Sequence, residues 1–513
     1  GIGHDAVVEF ATGGNGLRRE VAEVESVLVR ARHTVGAREQ PAHQALAQRG
    51  LPGLGTDHDD GVALRRELCE GTRGDAVAHG EFERRKQERH AHRNSILGPR
   101  PALRFRRCPP AIFFTGFRSL YDLFTRHCRS RRGLDPRHVS PLKYVPALDG
   151  IRGFAVLIVM LFHFGWLAPG WIGVQIFFVL SGFLITRILL QNRQESLGAD
   201  FRRFYWRRTL RIFPVLVLVL AVSALLYLSI GVPASFGHDW PWLVGFAANL
   251  GRVWGAQDIG HYHVHMWSLA VEEQFYLLWP FALFLLPVRH VKTLVVALLI
   301  GAPVLRYVLF QWLTANGTPP AEVGIAVYVL PFTQFDAFAT GAALAVWPKI
   351  ATHRFERSVL VVLALAAVGG LVSIAWGHLR QGGAYYWAFG YEMYLRQALG
   401  YVWGYTVLNL VGLMLVAGTY QGHAWTRPLG VRPLIGLGRI SYGVYVYHLP
   451  LLAACREFLD PRFAHRVPGW PVVSFCGWVL ATLAVAMLSY RYIEAPLLRL
   501  KDRRPSAGVT ATA

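Results

Sequence analysis

The chain has 513 residues, of which 53% are apolar, 13% aromatic and only 17% charged. An ordinary soluble domain carries about a quarter charged residues, so neither a soluble globular protein nor a disordered chain describes the whole sequence well. The formal net charge of +21 favours the basic cytoplasmic loops of a membrane protein over nucleic-acid binding. The five Cys show no metal-binding spacing and no disulfide framework.

Residues 1–140 differ in character from the rest of the chain, because they are rich in charge and His and have no sustained apolar periodicity. The chain opens with Gly1, the first Met is Met160, and no secretory signal pattern is recognisable. Two interpretations stay open: this segment is translation upstream of the true start, or it is a partly disordered cytoplasmic extension. We predict a membrane domain over 141–503 and a short cytoplasmic tail over 504–513.

The apolar runs predict about ten transmembrane helices, since a helix needs about 20 mostly apolar residues to cross a bilayer. The predicted spans are 150–168, 171–190, 213–231, 265–287, 292–313, 325–348, 358–377, 395–417, 434–453 and 470–490. The stretch 240–249 is too short to span, and we predict a re-entrant or interfacial segment there. The predicted fold is therefore an all-α integral membrane bundle.

Basic residues predict the orientation of this bundle. The link between the second and third spans holds seven Arg from Arg187 to Arg211, so it is predicted to be cytoplasmic. Alternation then places the other basic loops and both chain ends in the cytoplasm, as in a bacterial inner-membrane protein. Arg456, Arg462 and Arg466 fall in a predicted outer loop and break the pattern.

Two ionisable side chains lie in the first predicted span, Arg152 and His163. Such residues cost a few kcal/mol in a membrane on insertion scales, so each is a functional candidate. Eleven helical residues return to within about 20° of the same face, about 16 Å further along, so the two side chains are aligned. The alternatives are a positive-inside anchor for Arg152 and a helix–helix hydrogen bond for His163.

The segment 201–214 reads FRRFYWRRTLRIFP, with Arg203, Arg207 and Arg211 repeating at i, i+4 among aromatic residues. This pattern is typical of an amphipathic interfacial helix. Its Arg side chains suit anionic lipid head groups, and equally a phosphate-binding site, because the guanidinium fork matches phosphate oxygens.

The fourth span begins HMWSLAVEEQFYLLWP, in which Ser268, Glu272 and Tyr276 share a helix face and Glu273 points about 100° away. Two adjacent carboxylates in an apolar helix indicate function or buried pairing. The predicted topology puts Glu272 at the height of His163, where a carboxylate could set the imidazole tautomer and raise its basicity.

Weaker signals lie elsewhere. Ser181 and Gly182 permit close helix contact, which is ordinary membrane packing, and Asp336 is expected to pair with an Arg or a hydroxyl. The tract His261, His263, His265 resembles a metal cluster, but no Cys or carboxylate nearby in the sequence completes it, so we predict no metal. The further pocket candidates are Ser181, Gly182, Phe183, Tyr276, Asp336, Ser441, Tyr442 and His448.

From about Tyr144 to Leu500 the chain resembles the membrane-bound acyltransferase 3 family. The resemblance rests on LDGIRG followed by His, on GVQIFFVLSGFLIT, FYWRRTLRIFP and HMWSLAVEEQFYLLWP, and on the late pair ISYGVYVYHLP and YIEAPLLRL. It implies transfer of acyl groups, often acetyl, to sugars of surface polysaccharides, lipids or antibiotics. The implied donor is acyl-coenzyme A, with acetyl-coenzyme A favoured, and the implied partners are the lipid bilayer and a sugar- or lipid-borne hydroxyl acceptor.

The resemblance also implies roles for individual residues. His163 and Arg152 match the family's essential His and Arg, and Glu272 and Glu273 match its Val-Glu-Glu-Gln element. Gly182 and Phe183 match a Ser-Gly-Phe element, and Arg208 and Arg211 match a cytoplasmic Arg-x-x-Arg element associated with the donor. We therefore expect catalytic roles for His163, Arg152, Glu272 and Glu273, and donor binding by Arg152, Arg207, Arg208 and Arg211.

Two positions depart from the family pattern. Gln175 stands where an acidic residue or Asn is usual, and Gln334 stands where Arg is usual. These changes bear on acceptor details rather than on the chemistry. The alternative function class is transport, such as a flippase for a lipid-linked sugar, for which mid-membrane polar residues are equally natural; a non-catalytic assembly scaffold is a third class.

Overall fold

The computed structural model describes residues 144–191, 197–255, 259–347, 355–381, 386–396 and 398–500. The predictions for 1–140 and for the tail lie outside these residues. Within them the chain is helical and contains no β-strand, which confirms the all-α prediction.

The helices follow one another along the chain with short connections. They are α1 (Pro146–Phe164), α2 (Ile172–Gln191), α3 (Leu197–Ile230), α4 (Phe236–Val244), α5 (Ala248–Trp254), α6 (Met266–Leu285), α7 (Val288–Ala315), α8 (Pro320–Val329), α9 (Pro331–Val346), α10 (Phe355–Gln381), α11 (Gly400–Gln421), α12 (Arg432–Arg439), α13 (Ser441–Ala454), α14 (Asp460–Phe463), α15 (Trp470–Ser489) and α16 (Ala495–Arg499). Single π-helical turns, Cys455–Leu459 and Tyr490–Glu494, join α13 to α14 and α15 to α16.

Eight helical stretches of the described chain are long and apolar enough to cross a membrane. They are Pro146–Phe164, Ala168–Gln191, Leu197–Ile230, Arg289–Ala315, Pro320–Val346, Phe355–Arg380, Gly400–Gln421 and Trp470–Arg499. A multi-pass membrane protein is thereby confirmed.

The predicted fourth and ninth spans are not among these eight stretches. Helix α6 covers the fourth and has 20 residues, but Glu272, Glu273 and neighbouring polar residues lower its mean hydropathy. The ninth is divided at Ile440 into helices of 8 and 14 residues, both shorter than a bilayer requires.

The Arg-rich segment does not form a separate helix. Predicted as an interfacial helix over 201–214 before a span at 213–231, it is the first half of the continuous 34-residue α3, with Pro214 inside the helix. The segment 201–214 contains no Gly that could end a helix before the span. At 1.5 Å per residue α3 is about 50 Å long, which exceeds the hydrocarbon thickness of about 30 Å. The stretch 240–249, predicted to be re-entrant or interfacial, runs from the end of α4 through a turn to the start of α5, and both helices are short.

Glycines bring α2 and α9 together at backbone distance. A Cβ on Gly182 would overlap the carbonyl oxygen of Phe338, and a Cβ on Gly341 would overlap that of Val179. Gly182 is thus a packing residue, as its small size predicts. The next side chain, Phe183, is buried in the same core and packs against Tyr420 with ring centroids 5.1 Å apart.

Gly150 of the LDGIRG motif and Gly438 have a similar role between α1 and the segment before α13. A Cβ on Gly150 would overlap the carbonyl oxygen of Leu429, and one on Gly438, in α12, would overlap that of Asp149. This close approach fixes the turn of α1 that carries Arg152.

Asp336 of α9 pairs with Arg306 of α7, which confirms the predicted Arg partner. Two parallel bonds of 3.0 Å join the guanidinium to the carboxylate, and both side chains are at most 1% exposed. The same guanidinium donates to Thr406 and to the carbonyl oxygens of Thr333 and Val402. This buried ion pair links α7, α9 and α11 inside the bundle.

Candidate active site

Five helices, α1, α2, α3, α6 and α13, enclose a cavity. It is lined by Arg152, Val174, Phe177, Phe178, Ser181, Leu184, Arg208, Arg211, Ile212, Ser268, Leu269, Glu272, Tyr276, Ser441, Tyr442 and Tyr445. The cavity thus combines an apolar wall from α2 with three guanidinium groups, one carboxylate and several hydroxyls.

Half of this lining was predicted from the sequence. The predicted residues that line it are Arg152, Ser181, Arg208, Arg211, Glu272, Tyr276, Ser441 and Tyr442. The predicted residues outside the lining are His163, Gly182, Phe183, Arg207, Glu273, Asp336 and His448. Gly182 and Phe183 pack in the core and Asp336 pairs with Arg306, as described above, whereas His163 and His448 lie together at a second centre.

Arg152 is held in place by its own helix. Its Nη1 donates to Asp149 across 3.0 Å, and the Tyr144 hydroxyl donates to the same carboxylate across 2.7 Å. The two neighbouring cavity cations, Arg208 and Arg211, come from α3 at i, i+3, which puts them on one helix face. The lining holds three Arg and one carboxylate, Glu272, and Asp149 balances one of the three Arg, so the cavity keeps an excess of positive charge, which suits an anionic ligand.

Glu272 is bonded to the hydroxyls of Ser181 and Tyr276, both of which donate to its Oε1. Tyr276 also lies 3.1 Å from Ser181, so the three groups form one closed network. The guanidinium of Arg208 lies 4.1 Å from the centroid of the Tyr276 ring, a cation–π distance. The adjacent carboxylate, Glu273, has a buried Oε1 for which no hydrogen-bond partner is found in the described part of the chain.

The α13 wall is tied to the other helices by tyrosine hydroxyls. Tyr442 donates to the carbonyl oxygen of Ile212 on α3 across 2.7 Å. Tyr445 lies 2.5 Å from the Ser268 hydroxyl and donates to the carbonyl oxygen of His265 across 3.1 Å. Sequence periodicity supports both positions, because Ser268 is four residues before Glu272 and Tyr445 is four residues after Ser441.

Behind Tyr445 lies a second centre made of histidines. The Tyr445 ring is 5.4 Å from the rings of both His265 and His448. Nε2 of His448 lies 3.2 Å from Nδ1 of His163, and their ring centroids are 5.0 Å apart. Tyr445 therefore lines the Arg-lined cavity and also packs against His448, the hydrogen-bond neighbour of His163.

The expected pairing of Glu272 with His163 is replaced by a different one. Glu272 is bonded to Ser181 and Tyr276, whereas the side chain within hydrogen-bond distance of His163 is His448. Helical periodicity places residues on faces of their own helix, and it does not determine which facing helix supplies a partner.

The tract of alternating histidines turns in different directions. His263 is bonded to Ser223 across 3.1 Å, His265 to the carbonyl oxygen of Val446 across 3.3 Å, and His261 lies near Glu457. Burial lowers the pKa of His263 to about 4, so this ring is neutral at neutral pH. Among the described residues no group of three or more His, Cys, Asp or Glu is arranged to hold a metal ion.

One of the three Arg that break the positive-inside pattern has a local structural role. Arg456 donates from Nη2 to the carbonyl oxygen of His163 across 3.0 Å and contacts that of Phe164 at 3.5 Å. These carbonyls end α1, where a cation is favoured by the helix dipole. Sequence reasoning treated Arg456 as a topological anomaly and missed this contact with the end of the helix that carries His163.

The chain is similar to the peptidoglycan O-acetyltransferase OatA of Listeria monocytogenes, with 31% identity over 377 residues that cover 69% of this chain and 56% of the relative. It is similar to the O-acetyltransferase OatA of Staphylococcus aureus, with 26% identity over 376 residues that cover 69% of this chain and 57% of the relative. The chain thus spans little more than half the length of these relatives.

No solved structure matches the chain. The family model for the acyltransferase domain of acyltransferase 3 type matches residues 145–491, which include every residue of the cavity and the histidine centre. The chain therefore belongs to the acyltransferase 3 family and is an acyltransferase.

Proposed function

We propose that this enzyme is an O-acetyltransferase of the bacterial inner membrane that moves an acetyl group from acetyl-coenzyme A to a hydroxyl group of a cell-wall or other surface sugar. The observation that carries the proposal is the Arg-lined cavity, whose wall at Tyr445 adjoins the histidine pair containing His163. Membership of an acyltransferase family and the peptidoglycan relatives support the reaction class and the kind of acceptor.

The donor end of the site is the Arg cluster. Coenzyme A carries a pyrophosphate and a further phosphate, and guanidinium groups bind phosphate oxygens through paired donors. Arg208, Arg211 and Arg152 line the cavity, and Arg207 lies on the same stretch of α3. We assign phosphate binding to these four residues, with the donor entering from the cytoplasm as the basic loops predict.

The same proposal includes the finer topology. We assign membrane crossings to α6 and to the α12–α13 pair in addition to the eight stretches above, which gives ten crossings with both ends of the membrane domain in the cytoplasm. In this arrangement Arg152 lies toward the cytoplasmic side and His163 toward the outer side. An extended pantetheine arm can cover the roughly 16 Å between them along α1.

His163 is assigned as the catalytic base. Its Nε2 takes the proton of the acceptor hydroxyl as that oxygen attacks the thioester carbonyl; the carbon–sulfur bond breaks, and the proton passes to the departing thiolate. The two-step alternative, in which His163 is itself acetylated before the acceptor attacks, uses the same nitrogen. In both routes the thioester end must pass Tyr445, so this wall has to open during the reaction.

Glu272 is assigned a supporting role at the cavity. Its bonds to Ser181 and Tyr276 fix the Tyr276 ring beneath Arg208, which orients a cation that we assign to the donor. Glu273 is assigned to the charged groups around the cavity, and no step of the reaction is assigned to it. Neither the matched family nor the relatives named above support the transporter alternative.

The test is acetyl transfer by purified protein in liposomes, with acetyl-labelled acetyl-coenzyme A and cell-wall glycan acceptors. We compare wild type with His163→Ala and with a matched control, His465→Ala, which removes an exposed histidine outside the motifs. We expect transfer by wild type and His465→Ala and none by His163→Ala, at equal melting temperature. Undiminished transfer by His163→Ala would refute the assigned base. If wild type neither binds coenzyme A nor uses any acyl donor, acetyl-coenzyme A is not the donor and that part of the proposal is refuted.

A further inference from the structure

His163 and His448 are joined by a directed chain of hydrogen bonds. Nδ1 of His163 lies 3.0 Å from the carbonyl oxygen of Val159 and 3.2 Å from Nε2 of His448. Nδ1 of His448 in turn lies 2.6 Å from the carbonyl oxygen of Tyr445. Each imidazole thus faces one backbone carbonyl with its Nδ1.

The two carbonyls determine where the protons are. A carbonyl oxygen only accepts, so Nδ1 must carry the proton on both rings, and a neutral imidazole then has an unprotonated Nε2. His448 therefore presents the lone pair of its Nε2 to His163, and His163 donates to it from Nδ1. The remaining nitrogen, Nε2 of His163, carries a lone pair and has no hydrogen-bond partner among the described residues.

The surroundings hold both rings in this arrangement. The His448 side chain is fully buried, and its backbone carbonyl accepts a bond of 2.8 Å from the Trp478 indole. On the other side, Arg456 binds the carbonyl oxygen of His163 itself. The pair is therefore fixed by contacts from α15 and from the π-helical turn after α13.

We propose that His448 is the positioning residue for His163, in the place where many enzymes use a carboxylate. This inference rests on the proposed function of His163 as the base. When Nε2 of His163 takes the acceptor's proton, the ring becomes a cation, and its Nδ1–H bond to His448 strengthens. Together with the Val159 carbonyl, His448 thus favours the tautomer that can accept the proton, and it stabilises the charge that follows, without touching either substrate.

The first test separates this hydrogen bond from simple packing. His448→Gln keeps a side-chain oxygen that can accept from His163, while His448→Phe fills the same volume without an acceptor. We expect His448→Phe to lower kcat at least tenfold with the donor KM within about twofold of wild type, because a poorly oriented His163 loses part of the factor of about 100 or more that a positioned general base contributes. His448→Gln should retain kcat within about fivefold.

His265 supplies the matched control. Its ring also packs against His448, with centroids 5.0 Å apart, but its Nε2 bonds to the carbonyl oxygen of Val446 and not to His163. We expect His265→Phe to keep kcat within about threefold. Equal losses in His448→Phe, His448→Gln and His265→Phe, at unchanged melting temperature, would overturn the assignment and indicate packing alone.

A second readout does not depend on acyl transfer. Diethyl pyrocarbonate modifies unprotonated imidazole nitrogens, and mass spectrometry of the peptide containing His163 gives the rate at that residue. We expect His448→Phe to slow modification of His163 severalfold and His448→Gln to slow it less. An unchanged rate in His448→Phe would overturn the inference even if His163 proves essential. A His448-dependent rate in a protein that transfers no acetyl group would support the geometry and refute the proposed function.

Discussion

The side chains of Gln175 and Gln334 meet inside the bundle, where Nε2 of Gln175 donates to Oε1 of Gln334 across 2.9 Å. Both are fully buried, and Gln334 also donates to the carbonyl oxygen of Tyr328. The resemblance described under Sequence analysis marks these two positions as departures, with Gln in place of an acidic residue or Asn and in place of Arg. The two departures therefore meet in one contact, a buried pair of neutral amides.

This contact predicts a compensated double substitution. Gln175→Glu alone and Gln334→Arg alone should each lower the melting temperature, because a buried charge without a partner costs several kcal/mol. The double variant should recover most of that loss, since the new carboxylate and guanidinium face each other. Melting temperatures in detergent measure the cycle, and a double variant as unstable as the sum of its singles would contradict the expectation.

The buried pair of Arg306 and Asp336 predicts a second, asymmetric pattern. Arg306→Met alone or Asp336→Leu alone should destabilise the protein by about 3–5 kcal/mol, because each leaves one buried charge unpaired. The double variant should lose less than either single variant, since it leaves neither charge. Thermal unfolding of the four proteins tests this, with donor KM as a control that should stay unchanged because neither residue lines the cavity.

The sequence predicted the members of the site better than their pairing. Arg152 and Glu272 could be chosen because ionisable residues in apolar helices are costly. The partner of His163 could not, because His448 is 285 residues away and on another helix. Gln175 and Gln334, 159 residues apart, were likewise noticed separately and not as a pair.

The number of membrane spans was also only partly predictable from the sequence. Length and hydropathy were sufficient for the eight long apolar stretches. They were insufficient for α6, where the functional candidates themselves lower the hydropathy, and for the helix pair divided at Ile440. The opposite error was made for α3. The sequence was divided there into an interfacial helix and a separate span, whereas one helix runs continuously from Leu197 to Ile230.

Close packing of α2 on α9 predicts that Gly182 tolerates no side chain. Gly182→Ala should lower the melting temperature, because its Cβ would overlap the backbone of Phe338. Gly301→Ala is the matched control: Gly301 lies inside α7 with nothing within 4 Å of an added Cβ, so alanine should be neutral or stabilise by up to about 1 kcal/mol. Equal melting temperatures for the two variants would argue against the close approach.

Tyr276 has two separable contacts, and each predicts a different kinetic defect. Tyr276→Phe keeps the ring beneath Arg208 and removes the bonds to Ser181 and Glu272. Tyr276→Ala removes the ring as well as these hydrogen bonds. We expect the donor KM to rise a few-fold in Tyr276→Phe and at least tenfold in Tyr276→Ala, because the cation loses the ring that orients it. If both variants have the same donor KM, the ring of Tyr276 does not contribute to donor binding.

The Arg cluster predicts a dependence on the phosphates of the donor. S-acetyl-pantetheine carries the thioester without any phosphate, so wild type should use it at a much higher KM than acetyl-coenzyme A. Each charge-assisted bond to a phosphate contributes about 1.5–3 kcal/mol, so Arg208→Gln should raise the KM for acetyl-coenzyme A at least tenfold. It should leave the KM for S-acetyl-pantetheine within about twofold, because that donor has nothing for the guanidinium to bind. Arg202→Gln, an exposed neighbour on α3, is the matched control and should change neither value. If Arg208→Gln impairs both donors equally, Arg208 supports the fold of the cavity and does not bind the phosphates.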